Sequence, residues 1–403
     1  MTTSIKDQTA IVGVGATPYY RRGESLPQTT MEMACKAILA ACDDAGLSID
    51  DVDGFSIYSG SIDPASVAQV LGIPEIRWAT TTTSGGGGAS GCVGVGSAAI
   101  VTGMATTVVS LMTLQQAKWR IGGTSDKRPD PRSGSGSVYG GQSVSPETGF
   151  MVPYGLSAPG HSFSLLAQRH MALYGTKREH FAEVVISQRD NASRRETAIK
   201  REPLTLDDYF NARMISEPLC LLDYTLETDG AVAVITTSAD RARDLKQQPV
   251  YVMGSAHGGS GRWGQFIGWY QMPDDIFASS GHRPVAKRAY EMAGITAADV
   301  DVALLYDHFS PMVLMQLEDY GFCPIGESGA FVADGNIRWK TGSIPVNTHG
   351  GNLSEAYIIG MTHIREAVEQ LRGVAVNQVD NAEIALTTGG PAALPVSCLL
   401  LRR

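Results

Sequence analysis

Short apolar runs alternate with amphipathic stretches along the chain, the order expected of strands and helices packed in layers. The run TAIVGVGAT at 9–17 predicts a buried strand that Gly15 ends. Over 30–45, Met31, Ala34, Cys35, Ile38, Leu39 and Cys42 recur at helical spacing. DDAGLSIDDVDGFSIYS, 43–59, reads as a helix end, a turn and a strand at 53–58. No charged residue falls between Trp78 and Ala117, a run long enough to span a bilayer. Its wealth of Gly, Ala, Ser and Thr, broken at Thr102-Gly103, instead predicts an all-round buried helix and then a central strand. Residues 157–215 read as mostly helical, with LLAQRHMALYG and REHFAEVVISQRDNA amphipathic. DGAVAVITTSADRARDL, 229–245, predicts a strand and a helix, and PVYVMGSAH, 249–257, another strand.

One of these stretches recurs. EMAGITAADVDVALLYD, 291–307, matches 43–59 at an offset of 248 with six identities in 17 positions, and it aligns Tyr306 with Tyr58. The strand at 249–257 echoes the first, and glycine-rich loops lead into apolar helices at 84–91 and 348–354. The repeat predicts two similar α/β halves, 1–245 and 246–403, with a cap and loop insertion at about 118–215. The part of that insertion rich in Gly, Ser, Pro and charge, within 118–165, reads as a loop over a site or partner surface. Around 254–282, Trp263, Phe266, Trp269 and Tyr270 fit a substrate entrance, a core or a dimer contact equally well.

Composition narrows the function. The chain has 403 residues and a net charge of −9, which argues against nucleic acid or an anionic membrane as partner. The N-terminal residues lack a basic segment followed by a long apolar one, so no signal peptide is expected. Cys35, Cys42, Cys92, Cys220, Cys323 and Cys398 show no metal-ligand spacing, which suits a reducing cytoplasm and predicts no metal site in this chain.

The candidate chemistry lies in PVNTHGGNLSEAYIIG, 345–360. Asn347, Thr348 and His349 are polar, Gly350 and Gly351 let the backbone turn, and a helix is predicted from Ser354 or Glu355 with Tyr357 in its first turn. Such a loop gathers N–H groups as an oxyanion site does, although a tight structural turn explains it too. The stretch resembles the thiolase-superfamily loop N-x-x-G-G-x-x-x-x-G-H-P-x-G at Asn347, Gly350, Gly351 and Gly360, with Tyr357 where that family has its activating histidine. In GGGGASGCVGVGSAAI, Gly88 stands at the place of the nucleophilic cysteine. Cys92 lies four residues on, where a small buried hydrophobe is the expected role. LLYDHFSPMVLMQLEDYGFC, 304–323, is similar to the H-D-C-F-S segment of sterol-carrier-type thiolases, with Tyr306 at the histidine, Asp307, Phe309 and Ser310 matching, and His308 at the cysteine.

Together with VNQV these motifs resemble the thiolase-fold aldolases of bacterial steroid side-chain degradation, from about residue 8 to the C-terminus. The resemblance implies an α/β thiolase fold with two pseudo-symmetric βαβαβαββ halves in five α-β-α-β-α layers. It implies retro-aldol cleavage of a steroid β-hydroxyacyl-CoA, such as 17-hydroxy-3-oxo-4-pregnene-20-carboxyl-CoA, to a 17-ketosteroid and propionyl-CoA. No cofactor is expected in this chain. Tyr306 and Tyr357 would be base and acid in an order the sequence leaves open. His308, His349, Gly350, Gly351, Asp307 and Asn347 would position substrate or stabilise the oxyanion, although either histidine also fits a structural hydrogen bond. The family implies a homodimer formed near Thr106–Leu111 and an OB-fold, zinc-ribbon acyl-CoA-associated partner in an α2β2 complex, any zinc belonging to the partner. The rival reading is a non-catalytic thiolase-fold scaffold that binds lipid or acyl-CoA.

Overall fold

The computed structural model describes residues 4–58, 62–82, 88–117, 152–156, 158–259, 277–392 and 395–403. Most of the loop expected within 118–165, and the aromatic entrance with Trp263, Phe266, Trp269 and Tyr270, lie outside the described residues. The strands are β1 (Thr9–Ala16), β2 (Tyr20–Arg21), β3 (Gly54–Tyr58), β4 (Trp78–Thr82), β5 (Thr107–Leu114) and β6 (Met214–Ser216). They continue with β7 (Leu219–Cys220), β8 (Thr228–Ser238), β9 (Val250–Gly258), β10 (Val302–Leu304), β11 (Ile384–Gly389) and β12 (Val396–Arg402).

Strand pairing carries the repeat into three dimensions. β1 runs antiparallel to β8, β8 antiparallel to β5, and β5 parallel to β3. In the same order and with the same senses, β9 pairs with β12, β12 with β11, and β11 with β10. The two sets join where Ala10 and Ile11 of β1 meet Tyr251 and Val250 of β9. Tyr58 ends β3, and Tyr306 lies two residues past the end of β10, so the aligned tyrosines occupy corresponding places in the two sets.

The uncharged run folds as expected, into the helix Gly88–Val101 and the wholly buried β5. That helix packs against β3, β5 and β8 of one set and against β9, β11 and β12 of the other. Its small residues permit this: a Cβ on Gly94 would stand 2.0 Å from Ser255 Oγ, and one on Gly96 2.9 Å from Val108 Cγ1. The helix Met361–Leu371 lies beside it, against β8, β10 and β11. Helix Thr30–Ala45 covers β1, β5 and β8 from outside, and helix Arg283–Ala293 covers β9 and β12, so the order is α-β-α-β-α. Among the described residues, no helix is long and apolar enough to cross a membrane.

Two expectations change. Gly15 does not end the first strand, because β1 continues through Ala16. The glycine instead admits helix Thr30–Ala45, since a Cβ there would stand 2.3 Å from Ala37 O. Nor can Thr106–Leu111 be a dimer edge: β5 is hydrogen-bonded to β3 on one side and β8 on the other. The open edge of that set is β4, with Ala79 and Thr81 exposed.

Helices Pro159–Tyr174 and Arg178–Ser193 lie in the stretch read from the sequence as a cap. Just beyond them, Arg195 is buried and donates to Glu355 through Nε, to Glu366 through an NH1 bond of 2.8 Å, and to Glu369 through an NH2 bond of 2.8 Å. One guanidinium thus ties the cap to both the 345–360 loop and helix Met361–Leu371. Replacing it with Met should strand buried carboxylates and cost about 3–5 kcal/mol. The check is a denaturant titration of Arg195→Met beside wild type, in which an unmoved midpoint would refute the tie.

Candidate active site

Tyr306 and Tyr357 meet, as the aligned motifs require. The Tyr306 hydroxyl donates to that of Tyr357 at 3.1 Å, with ring centres 6.4 Å apart. Their exposures are only 1% and 6%, so neither phenolate is well solvated. Burial pushes the Tyr357 phenol up to about 12, against the pull of the hydrogen bond from Tyr306. Burial also holds the Tyr306 phenol well above its ordinary value, and Tyr357 adds to the effect. Both are therefore neutral phenols across the physiological range.

The backbone at each tyrosine is pinned from afar. The Tyr306 N–H donates to Thr388 Oγ1 at 2.8 Å, and its C=O accepts from Gln316 Nε2 at 2.9 Å. Thr388 Oγ1 in turn donates to Gln316 Oε1 at 2.5 Å. Thr228 Oγ1 accepts from the Tyr357 N–H and donates to the Tyr357 C=O, both at 2.9 Å. At Gly360, φ is +79°, and a Cβ would stand 2.7 Å from Tyr306 Cδ2, so the ring needs glycine there.

Tyr357 does not begin a helix. A four-residue helix, Gly351–Ser354, stops before it, and the next one starts at Met361. The carbonyls of Ser354 and Glu355 accept from the N–H groups of Lys200 and Ile199 in the cap, at 3.0 and 2.9 Å, instead of from a following helical turn. Left-handed Ile359 and Gly360 complete the break. Tyr357 therefore sits on a non-helical link whose course the cap helps to set.

The remaining loop residues act mainly on the backbone. Asn347 is fully buried and clamps Leu305, accepting its N–H through Oδ1 and donating Nδ2 to its C=O, both at 2.8 Å. Asp307 accepts from the N–H groups of Asn352 and Leu353 at 3.0 and 3.2 Å and pairs with His363 Nε2 at 3.0 Å. A Cβ on Gly351 would stand 2.1 Å from Asp307 Oδ2, and one on Gly350 would stand 2.6 Å from Ala192 Cβ. The Gly350 N–H is spent on Asn347 O. Asn347, Asp307, Gly350 and Gly351 thus form a cradle that aims Tyr306, where the sequence suggested contact with substrate.

The two histidines separate. His349 is fully buried, edge-on to His363 at 4.7 Å and 3.9 Å from Glu355. Burial, then His363, Arg195 and Arg365, hold its imidazole well below the usual range. These neighbours place it beside the buried charges, and among the described residues its ring nitrogens make no hydrogen bond. His308 is 5.3 Å from the Tyr306 ring and 4.3 Å edge-on to Phe163, and its buried ring nitrogens meet no hydrogen-bond partner among the described residues. An unpaired buried imidazole beside the pair is the group a substrate oxygen would satisfy.

Gly88 opens the buried helix, and Cys92 is fully buried inside it, its Sγ 3.0 Å from Thr82 Oγ1 and its thiol pushed up to about 11 by burial. Neither position offers a thiolate. Sequence reasoning missed Thr228, Gln316, His363 and Thr388, of which His363 alone carried a visible signal, as a histidine inside an apolar helix face. Among the described residues, no cluster of three or more His, Cys, Asp or Glu could hold a metal ion.

A family model described as thiolase C-terminal domain-like matches residues 269–400. The chain is 38% identical to a 17-hydroxy-3-oxo-4-pregnene-20-carboxyl-CoA lyase of Mycobacterium tuberculosis, over 98% of this chain and 100% of that protein. It is 36% identical to a steroid side-chain-cleaving aldolase of Thermomonospora curvata, over 97% of each. Of the solved structures, an Ltp2-ChsH2(DUF35) aldolase superposes with a TM-score of 0.88 at 36% identity, covering 99% of both chains.

Burial pushes His308 down to about 3, so at mild acidity an unfolded chain takes up a proton that the folded one refuses. This contribution lowers stability as pH falls from about 6.5 towards 3, by at most about 1.4 kcal/mol per pH unit. Denaturant midpoints at pH 6.5 and 5 should therefore show the stability of His308→Gln improving relative to wild type on acidification. An unchanged gap would mean the imidazole is already protonated in the fold.

Proposed function

Because this chain belongs to the thiolase-superfamily aldolases that cleave steroid side chains, it is a carbon–carbon lyase, and we propose that Tyr306 and Tyr357 carry out its retro-aldol step as one proton relay. The substrate is a steroid side-chain β-hydroxyacyl-CoA, 17-hydroxy-3-oxo-4-pregnene-20-carboxyl-CoA or a close analogue. The products are a 17-ketosteroid and propionyl-CoA. The observation that carries the mechanism is the 3.1 Å hydroxyl pair, buried and neutral.

Retro-aldol cleavage must remove a proton from a tertiary alcohol and deliver one to the α-carbon of the thioester. A free phenolate is costly here, so the protons move along the neutral pair. The Tyr306 oxygen accepts the alcohol proton as its own proton passes to Tyr357, and the Tyr357 proton goes to carbon. The electron pair of the breaking C–C bond moves into the thioester as an enolate and returns to carbon on protonation. Both tyrosines end neutral, with their hydrogen bond reversed. Donor direction supports the order: the Tyr306 hydroxyl donates to that of Tyr357. His308 stays neutral and orients the alcohol beside Tyr306, while Asn347, Asp307, Gly350 and Gly351 hold the Tyr306 strand end. Gly88 in place of a nucleophile leaves no route to an acyl-enzyme.

The partner is a DUF35-type acyl-CoA-associated subunit with an OB-fold and zinc ribbon, forming an α2β2 complex in the cytoplasm. Support comes from the solved Ltp2-ChsH2(DUF35) relative. The homodimer contact uses the open edge of β4. Any zinc belongs to that partner.

The test is steroid-CoA turnover by the chain with its partner, the ketone and short acyl-CoA followed by mass. Tyr306→Phe and Tyr357→Phe should each lower kcat by about 10²–10⁴-fold, the range for a lost general acid or base, with KM little changed. Wild-type kcat should show no tyrosine ionisation limb between pH 6 and 9, and its solvent-isotope dependence should require more than one proton in flight. Tight substrate binding without products would favour the non-catalytic scaffold.

A further inference from the structure

A third tyrosine stands where a thiolase keeps its nucleophile. By the motif resemblance, Gly88, the first residue of the buried helix, stands at the place of the cysteine. A Cβ built on it would stand 2.2 Å from Tyr58 Cδ2, 2.9 Å from Tyr58 Cε2 and 3.2 Å from Met112 Cε. No side chain fits there while the Tyr58 ring keeps its position. The ring fills the volume a cysteine side chain would use.

The second half contains the same device. Gly360 precedes helix Met361–Leu371, and its missing Cβ admits the Tyr306 ring at 2.7 Å. In each half, then, a strand-end tyrosine lies on a glycine at the N-terminal end of a middle-layer helix. Tyr58 is close enough to the pair that it and Tyr357 each bear on the other hydroxyls, Tyr357 disfavouring Tyr58 ionisation and Tyr58 that of Tyr306. Burial is the larger cause and raises the Tyr58 phenol, so it too is a neutral donor at working pH. Tyr58 is half-buried, more open than either Tyr306 or Tyr357. It offers the reacting acyl group a hydroxyl that the relay does not use.

We propose that Tyr58 is a third catalytic residue: seated in the Gly88 slot, it meets the acyl thioester where a thiolase presents its thiol, and its hydroxyl donates to the thioester oxygen as that oxygen takes up enolate charge. No covalent bond forms to it. The C–C electron pair moves onto the thioester, the phenolic O–H shortens its hydrogen bond to that oxygen, and the charge returns to carbon when Tyr357 protonates it. The inference rests on the retro-aldolase reading. It adds the group that stabilises the anion, which a two-tyrosine relay lacks.

The experiment compares wild type, Tyr58→Phe, Gly88→Ala and the double variant, each co-purified with the partner subunit. Tyr58→Phe keeps the ring and removes only the donor. It should lower kcat about 10²-fold, as loss of one oxyanion donor does, raise KM by up to about tenfold through the lost ground-state contact, and leave the thermal midpoint little moved. Gly88→Ala should displace the ring and cost a similar factor, and the double variant should lose little more, because both changes remove one interaction. Wild-type kcat in Tyr58→Phe, or a lowered thermal midpoint with unchanged kcat, would reduce Tyr58 to packing and overturn the proposal. Calorimetric binding of propionyl-CoA separates the two readings: Tyr58→Phe should weaken it about tenfold, or ~1.4 kcal/mol, whether or not steroid cleavage is observed. Cleavage by wild type with both kcat and propionyl-CoA binding unchanged in Tyr58→Phe would refute Tyr58 alone. Absence of cleavage with weakened propionyl-CoA binding would refute the aldolase reading and leave the thioester contact standing.

Discussion

Two phenols share one dry place in this protein, and most of the neighbouring structure follows from that. Neither hydroxyl can ionise cheaply or go unpaired there, so each must serve the other, and a 3.1 Å contact tolerates little error. The rings accordingly stand on backbone that cannot drift. Thr388 and Gln316 hold Tyr306 at its N–H and C=O, and Asn347 does the same for Leu305 one residue earlier. Thr228 holds both backbone groups of Tyr357 with a single hydroxyl. Side chains from distant parts of the sequence thus converge on two residues that lie 51 apart.

The buried charges answer to the same requirement. Asp307 is fully buried beside Tyr306, but its oxygens are occupied by two loop N–H groups and His363. It therefore reads as an anchor that caps the short helix Gly351–Ser354, and that helix leads the chain to Tyr357. Glu355 follows directly and is gripped by Arg195 from the cap. A buried ion network adds little net stability compared with apolar packing. Here it fixes the course of the link that carries Tyr357, a positional return that apolar contacts would deliver less sharply.

Much of this was legible in the sequence, and the illegible part has a common physical cause. The 43–59 and 291–307 repeat pointed to two similar α/β units, and the two strand sets share one pairing order, because periodicity and turn residues are local properties. The aligned motifs brought Tyr306 and Tyr357 together, because each stands at a fixed offset from glycines that the backbone needs. The helix start at Ser354 failed because the carbonyls of Ser354 and Glu355 are taken by Lys200 and Ile199, more than 150 residues away, which no local pattern reveals. The same distance hid Thr228 and Thr388, ordinary strand threonines until their partners are known. His349 and His308 look alike in the sequence, and burial beside Arg195 and His363 in one case and beside Tyr306 in the other is what separates them.

Glycine is the currency in which one fold exchanges one chemistry for another. A thiol nucleophile needs a side chain at the tip of the buried helix, and an activating histidine needs room opposite it. Gly88 and Gly360 reverse that allocation, giving the volume at each helix start to an aromatic ring from the neighbouring strand end. If Gly88 stands where the resemblance puts the nucleophile, the filled slot argues against simple decay. A decayed site would keep its shape and leave a void, whereas here the space at position 88 is filled so closely that even a methyl group collides with Tyr58. Filling that volume also changes which reactions are possible: a thiolate attacks carbon, but a buried neutral phenol can only lend or move a proton. Cleavage that forms no covalent intermediate is what such a site retains.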